Sequence, residues 1–295
     1  MNARRNSRGV ALLLVLWLVA LFTALVGGFA RTAQMERLQG SVLRDSVIAG
    51  EAARAGVEYA LVRVNAGDQR LRWVPDGREN AWEYADANVS VRIVDEMGKV
   101  DLNASAPNLL AALFREVGVD PGEADRIAGA IVDWRDPDPL IQPSGGAEDA
   151  DYAAAGRPYG AKDAPFESIA EVEQVLGMTP AIYAKVAPFL TVFSGNGTPD
   201  ASYAAPEVLA ALGLEAAGVV GRREQWNPAS GQPPPVLADG QPLSEGGTGT
   251  YSIWSRARLR NGRETVLHAI VRSGGNGLPG SAYTALQWEE GTSPQ

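Results

Sequence analysis

The sequence predicts an α+β protein. Three observations carry that expectation. An apolar N-terminal run continues into a proline-free helical stretch, the middle of the chain is a block of short helical segments, and alternating strand patterns flank that block.

Arg4, Arg5 and Arg8 precede Gly9, and an almost unbroken apolar run follows from Val10 to Ala30, with Thr23 as its only side-chain hydroxyl. A run of about 20 apolar residues is long enough to span a bilayer as a helix. Basic residues on its N-terminal side keep that end in the cytoplasm, so everything after Arg31 is expected across the membrane. A secretory signal has a shorter apolar core, of about 7–15 residues, and a small-x-small cleavage site. Here Ala30 to Ala33 reads Ala-Arg-Thr-Ala, a poor site. Two readings remain: an uncleaved signal anchor, or a cut between Gly9 and Val10. A short basic leader ending in Gly, followed directly by the hydrophobic helix, resembles a type IV prepilin leader.

The helix is expected to continue past the membrane. From Thr32 to Val64 there is no proline, and Met35, Leu38, Val42, Ala49, Ala53, Gly56, Ala60 and Val64 recur at helical spacing. Joined to the apolar run, this makes a helix of about 55 residues, on the order of 80 Å long. Its first half is hydrophobic all round. Its second half is amphipathic and is expected to lay one face on a small sheet.

Asn88 to Asp95 alternates Val89, Val91 and Ile93 with polar residues, the pattern of a half-buried strand. Lys99 to Asn103 alternates again. Near the C-terminus, Gly249 to Arg260 and Arg263 to Arg272 flank Asn261-Gly262, the strongest short hairpin signal. Ser281 to Trp288 is expected to add a strand, and Asn227 to Gly249 reads as a mobile Pro/Gly-rich linker. Between the strand groups, helices are expected over Pro107 to Val117, Pro121 to Trp134, Phe166 to Leu176 and Pro180 to Leu190. Pro107 sits in a first turn, where its missing N–H costs little. Pro107-Asn-Leu-Leu-Ala-Ala-Leu113 is echoed by Pro206-Glu-Val-Leu-Ala-Ala-Leu212, which suggests a reused helix entry.

Composition excludes several functions. Hydrophobic residues make up 45% and charged residues 21% of 295 positions, enough for one large domain or two small ones after an anchor. The net charge is -9, and loss of the three leader arginines would make it -12. An acidic body argues against nucleic-acid binding, which neutralises phosphates with Lys and Arg. Cysteine is absent, which removes disulfides, zinc-thiolate sites and thiol nucleophiles. The single histidine, His268, falls in a strand pattern and reads as a half-exposed strand residue rather than a triad member. Two helix pairs look like helix-hairpin-helix units, with Gly118-Val119-Asp120 and Gly177-Met178-Thr179 as hairpins. Such turns cradle DNA phosphates in some proteins and are plain structural corners in others. Asp120, Glu123 and Asp125 would repel phosphate at the first.

The chemistry worth weighing follows the second helix. Asp133, Asp136, Asp138, Glu148, Asp149 and Asp151 place six carboxylates within nineteen residues, with Arg135 the only cation and no histidine among them. That set does not suit zinc. Hard oxygen ligands at irregular spacing suit Ca²⁺, which takes about six to eight oxygens in adaptable geometry. Without a cation, clustered carboxylates repel one another and raise their pKa values. The competing reading is a solvated acidic loop.

Together these features resemble the K-type minor pseudopilin of the type II secretion system. The resemblance rests on Arg8-Gly9-Val10-Ala11-Leu12-Leu13, Gly98-Lys-Val-Asp-Leu-Asn103, Asp133-Trp-Arg-Asp136, Glu148-Asp149 with Tyr152, Pro158-Tyr159 and Ala164-Pro-Phe-Glu-Ser168, in that order along nearly the whole chain. It implies an α+β, type IV pilin-like fold: a long N-terminal helix on a small antiparallel sheet, with a large inserted all-α domain. The implied organisation is a prepilin leader (1–9), a transmembrane part of the helix (10–30), pilin-like helix and first strands (31–103), the inserted helical domain (104–224), and a linker with C-terminal strands (225–295). It implies calcium held by Asp133, Asp136, Asp138, Glu148, Asp149 and Asp151. It also implies cleavage after Gly9, methylation at Val10, and an inner-membrane anchor with a periplasmic C-terminal domain. No enzymatic activity and no nucleic acid are expected. The implied role is the tip of the pseudopilus and the start of its assembly. The implied partners are the I- and J-type minor pseudopilins, the major pseudopilin, the inner-membrane assembly platform, the prepilin peptidase and the lipid bilayer. Leu14 is the fifth residue after the cut, where pilins normally carry Glu. Two other classes stay open: a membrane-anchored helix-hairpin-helix DNA-binding protein, and an anchored periplasmic hydrolase.

Overall fold

A computed structural model describes residues 8–237, 240, 242–243, 246–274 and 282–291, with side chains from residue 11 onward. The leader up to residue 7 and the side chains of Arg8 and Val10 lie outside the described residues, so the expected cut between Gly9 and Val10 falls at their edge. One helix, α1 (Arg8–Val64), runs without interruption through the apolar stretch and into the head. It is the one described helix long and apolar enough to cross a membrane, and its most apolar window is wholly exposed.

The head contains a five-stranded antiparallel sheet in the order β1 (Asp76–Tyr84), β2 (Ala87–Asp95), β5 (Thr250–Leu259), β6 (Glu264–Ser273), β7 (Tyr283–Glu290). Alternation puts Val89, Val91 and Ile93 of β2 on one face with Ile253, Ala257, Leu267, Ala269 and Val271. Onto that face α1 lays Ala49, Ala53, Val57 and Ala60, all buried. These small residues let the helix approach closely. The tightest point is Gly56, where a Cβ would lie 2.1 Å from Ser255 Oγ and 2.8 Å from Val89 Cγ1. Tyr59 stacks on Trp82 at 4.2 Å and meets Trp73 edge-on, fixing the helix over β1.

Between β2 and β5 in sequence lies the helical part, with its own core. It comprises β3 (Val100–Asp101), α2 (Pro107–Glu116), α3 (Pro121–Arg135), α4 (Asp149–Ala154), α5 (Pro180–Val186), β4 (Leu190–Thr191), α6 (Pro206–Ala211) and α7 (Ala216–Gln225). The helices α2 and α6 both begin with proline after an extended alanine, Ala106 and Ala205, as the repeat predicts.

Several expectations need correction. Met35, Leu38 and Val42 do not pack on the sheet; they are exposed, and burial on the helix begins near Ala49. The strand expected over Lys99 to Asn103 shrinks to Val100–Asp101, which pairs in parallel with β4. The Asp101 carboxylate accepts from the Asn103 and Ala104 amides at 2.8 and 3.2 Å and turns the chain. The helix expected over Phe166 to Leu176 is a 3₁₀ turn over Ile169–Gln174. Asn103 holds the Phe166 amide and carbonyl at 2.7 and 3.0 Å, which keeps that residue extended. The strand β1 was not expected at all: its sequence is polar, and as an edge strand it buries little. The linker after Asn227 carries a 3₁₀ turn at Pro228–Ser230 and a bridge between Val236 and Pro242.

Replacing Gly56 with valine should lift α1 from the sheet and lower stability by roughly 1–3 kcal/mol, the usual range for overpacking. Denaturant unfolding followed by tryptophan fluorescence checks this; an unchanged midpoint would refute the close approach.

Candidate functional site: an acidic cluster between α3 and α4

Asp133 lies near the end of α3 and is fully buried. Asp136 is the residue that ends that helix, and Glu148 is the N-cap of α4. The connection folds back over α3 because two glycines permit it. A Cβ on Gly129 would lie 1.7 Å from the Gly145 carbonyl oxygen, and one on Gly146 would lie 1.9 Å from Asp133 Oδ2. Asp133 then accepts from the Ala147 and Gln142 amides at 2.8 and 3.2 Å. The result brings one carboxylate oxygen each from Asp133, Asp136 and Glu148 within 4.8 Å of one another. Asp136 Oδ1 and Glu148 Oε1 are buried and accept no hydrogen bond among the described residues.

Electrostatics match this crowding. Glu148 is pushed up to about 7, first by loss of solvent and then by repulsion from Asp133, Asp136, Asp163 and Asp138. Asp136 is raised by burial and by Asp138. Asp133 is raised chiefly by burial, which its amide donors offset in part. Three crowded carboxylates, two of them with a buried oxygen that accepts no hydrogen bond, have the donor chemistry that a hard cation would take.

The other three acidic residues of the sequence pattern have different partners. Asp138 accepts from the Leu140 amide at 2.9 Å and stands beside the cluster. Asp149 accepts from the Ala161 amide at 3.1 Å, and Asp151 accepts from the Glu148 amide at 3.0 Å. Sequence reading missed Asp163, held at a φ of 55° and close enough to raise both Glu148 and Asp136. It lies twelve positions beyond Asp151, so only the fold brings it there.

The short motifs of the sequence surround this site. Trp134 packs on Tyr152, Tyr159 and Phe166, with ring centroids 5.8, 6.2 and 6.3 Å away, and donates to Glu171 at 3.1 Å. Arg135 donates to the Leu102 and Ser105 carbonyls. The Tyr152 hydroxyl accepts from the Leu176 amide at 3.1 Å. Asp101 ties Ser194 and Gly195 at 2.9 and 2.8 Å.

The competing functions find no footing. At the first hairpin the Asp120 carboxylate accepts from the Gly122 and Glu123 amides, and at the second Thr179 accepts from Ile182, so those amides are not open to phosphate. His268 pairs with Glu289 at 3.8 Å and stacks on Trp254; among the described residues no serine hydroxyl bonds to it.

The fold and site thus define a head of short helices and an antiparallel sheet, carried on one helix long and apolar enough to cross a membrane, with a carboxylate cluster in its helical part. Residues 88–195 match the family described as type II secretion system protein K. The chain is 27% identical over 213 residues to the type II secretion system protein K of Klebsiella pneumoniae, covering 64% of this chain and 63% of that protein. It is 28% identical over 244 residues to the protein of the same name from Pseudomonas aeruginosa, covering 71% and 69%. The chain thus spans a little under two thirds of the Klebsiella relative. Its fold is similar to a chain in the crystal structure of the GspK-GspI-GspJ complex from the type 2 secretion system of enterotoxigenic Escherichia coli. There the TM-score is 0.57 at 20% identity, covering 89% of this chain and all of that one. Over residues 88–195, and more weakly over about two thirds of its length, the chain is thus similar to type II secretion system protein K.

In chelator, melting temperature should fall as pH rises from 5 to 8. Glu148 holds its proton up to about 7 when folded but only to its ordinary value of 4.5 when unfolded, so between these values the folded state binds more protons and loses stability with rising pH. Glu148→Gln should flatten the slope; an identical slope in the variant refutes the assignment.

Proposed function

We propose that this protein is a minor pseudopilin at the tip of the type II secretion pseudopilus, where it initiates assembly without enzymatic activity. The observation that carries this reading is the continuous helix α1. Beyond its apolar half it leaves Met35, Leu38, Val42, Val47 and Ile48 exposed before it reaches the sheet, an apolar flank suited to neighbouring helices. Those neighbours are the I- and J-type minor pseudopilins, a reading supported by the complex in which the similar fold occurs. The head occupies the periplasm, the span lies in the inner membrane, and prepilin peptidase removes the leader after Gly9 so that Val10 becomes the N-terminus. The major pseudopilin and the assembly platform complete the partners.

The tip position rests on Leu14. A buried, uncompensated N-terminal ammonium costs several kcal/mol in an apolar filament core. In pilins a Glu at the fifth position supplies the compensating carboxylate to the subunit ahead. Leu14 cannot do so, which suits a subunit with none ahead. The helical part from 104 to 224, read as a domain inserted in a pilin-like frame, would also obstruct a copy stacked above it. Purification from membranes with tagged I and J partners should give a complex of one copy each, with a mature chain starting at Val10 by mass spectrometry. Subunits found along the filament, or a chain starting at Met1, would overturn the proposal.

The cluster is read as a structural calcium site, with Asp133, Asp136 and Glu148 as its centre and Asp138, Asp149 and Asp151 around it. The fit rests on the two orphaned buried oxygens. Calcium at a hundredfold excess over its dissociation constant should stabilise the fold by about 2.7 kcal/mol. The double substitution Asp133→Ala with Asp136→Ala should abolish the chelator-sensitive shift in melting temperature. Unaltered protein that melts identically in calcium and chelator would sink this assignment.

A further inference from the structure

The helix α1 covers only one face of the sheet. On the other face Arg92, Trp254, His268 and Glu289 stand opposite one another on β2, β5, β6 and β7, a single row across four adjacent strands. The Trp254 indole lies between two partners. His268 stacks at 4.5 Å between ring centroids, 10° from parallel, and the Arg92 guanidinium carbon sits 4.6 Å from the ring centre. This row floors a cavity of ≈1210 Å³, roofed by the helical part through Ile169, Tyr183, Phe189 and Val208.

The cations on the cavity wall differ in their partners. Asp76 holds Arg78 at 2.7 Å, Glu96 holds Lys99 at 2.6 Å, and Arg223 donates to the Ser202 carbonyl at 3.1 Å. Arg92 has no such acceptor among the described residues. Glu79, its register partner on β1, favours the Arg92 charge through space but takes its hydrogen bond from Ser90. Arg92 therefore presents a half-buried charged fork with its aromatic contact made and its N–H donors free. Burial opposes its charge, but an arginine does not release its proton in a protein. A planar guanidinium matches a carboxylate in a two-bond pair. The cavity wall is apolar over the larger part of its area, and of its cations Arg78 and Lys99 are already paired to Asp76 and Glu96, so the matching ligand is an apolar body whose carboxylate reaches Arg92.

The row also sets the shape of that body. It crosses the strands at right angles and ends on β7, an edge strand of the sheet. From β2 to β7 are three strand spacings, on the order of 14 Å, which about four extended residues would cover. We propose that this cavity binds the last residues of an extended apolar peptide with a free C-terminal carboxylate. Arg92 clasps the carboxylate, and Trp254 and His268 form the platform beneath the chain. The proposal goes beyond the assembly role and does not depend on the cation site.

The test uses the full chain in lipid nanodiscs, incubated with two pools of random tetrapeptides. One pool ends in a free carboxylate and the other is amidated; bound sequences are read by mass spectrometry. The free-acid pool should be retained at least tenfold over the amide pool, with apolar residues enriched. Arg92→Ala should retain both pools equally, while Arg92→Lys, which keeps the charge without the fork, should fall between. Melting temperatures of both variants check that they fold, and the amide comparison on unaltered protein stands even where a variant does not. Equal retention of the two pools by unaltered protein overturns the proposal, as does a preference that survives Arg92→Ala in a folded variant. Saturable binding of palmitate with no peptide preference would make this a lipid-acid site and overturn the peptide reading.

Discussion

The architecture depends on one return journey. The chain leaves the sheet at the end of β2 and must come back beside it as β5, in a register that pairs Asp95 with Tyr251. The Asp95 carboxylate guards both ends of that excursion. It accepts from Met97 as the chain departs, and from the Thr248 amide and hydroxyl at 2.6 and 2.5 Å as it returns. Closing a loop that separates residues 153 positions apart costs about 4–5 kcal/mol in chain entropy on a logarithmic law. The long antiparallel ladder between β2 and β5 and a second buried junction offset that cost. In the junction Glu96 receives Lys99 and Ser252 at 2.6 and 2.5 Å and Thr191 beside them, which ties the sheet to the helical part.

With the excursion closed, the helical part can fold around its own core and still keep a fixed position over the sheet. The acidic cluster exploits this. Asp133 comes from a rigid helix, Glu148 begins the next one, and the aromatic group of Trp134, Tyr152, Tyr159 and Phe166 packs behind them. The carboxylates are thus held together by packing rather than by mutual attraction. Their raised pKa values are the electrostatic expense of that arrangement.

Much of this was legible in the sequence where a local signal and the final structure agree. The Asn261-Gly262 turn, the alternation of β2 and the proline entries of α2 and α6 depend on neighbouring residues alone. The edge strand β1 was not legible, because its polar residues face solvent and pair with only one neighbour. The acidic segment was legible as a composition but not as a site. Which carboxylates converge depends on α4 forming, which ties Asp151 to the Glu148 amide, and on the later loop, which ties Asp149 to the Ala161 amide and brings Asp163 near the cluster. The row from Arg92 to Glu289 was hidden more deeply, since it exists only once four strands adopt one register.

The unbroken α1 also sets a phase. An α-helix advances about 100° per residue, so the face it turns to the sheet at Ala53 fixes the face it presents at Leu38 and, further back, at Leu14. The head cannot swivel on its stem without breaking backbone hydrogen bonds. Any orientation imposed on the apolar half is thereby transmitted to the helical part as a torsional setting, with the stem acting as a shaft rather than a tether.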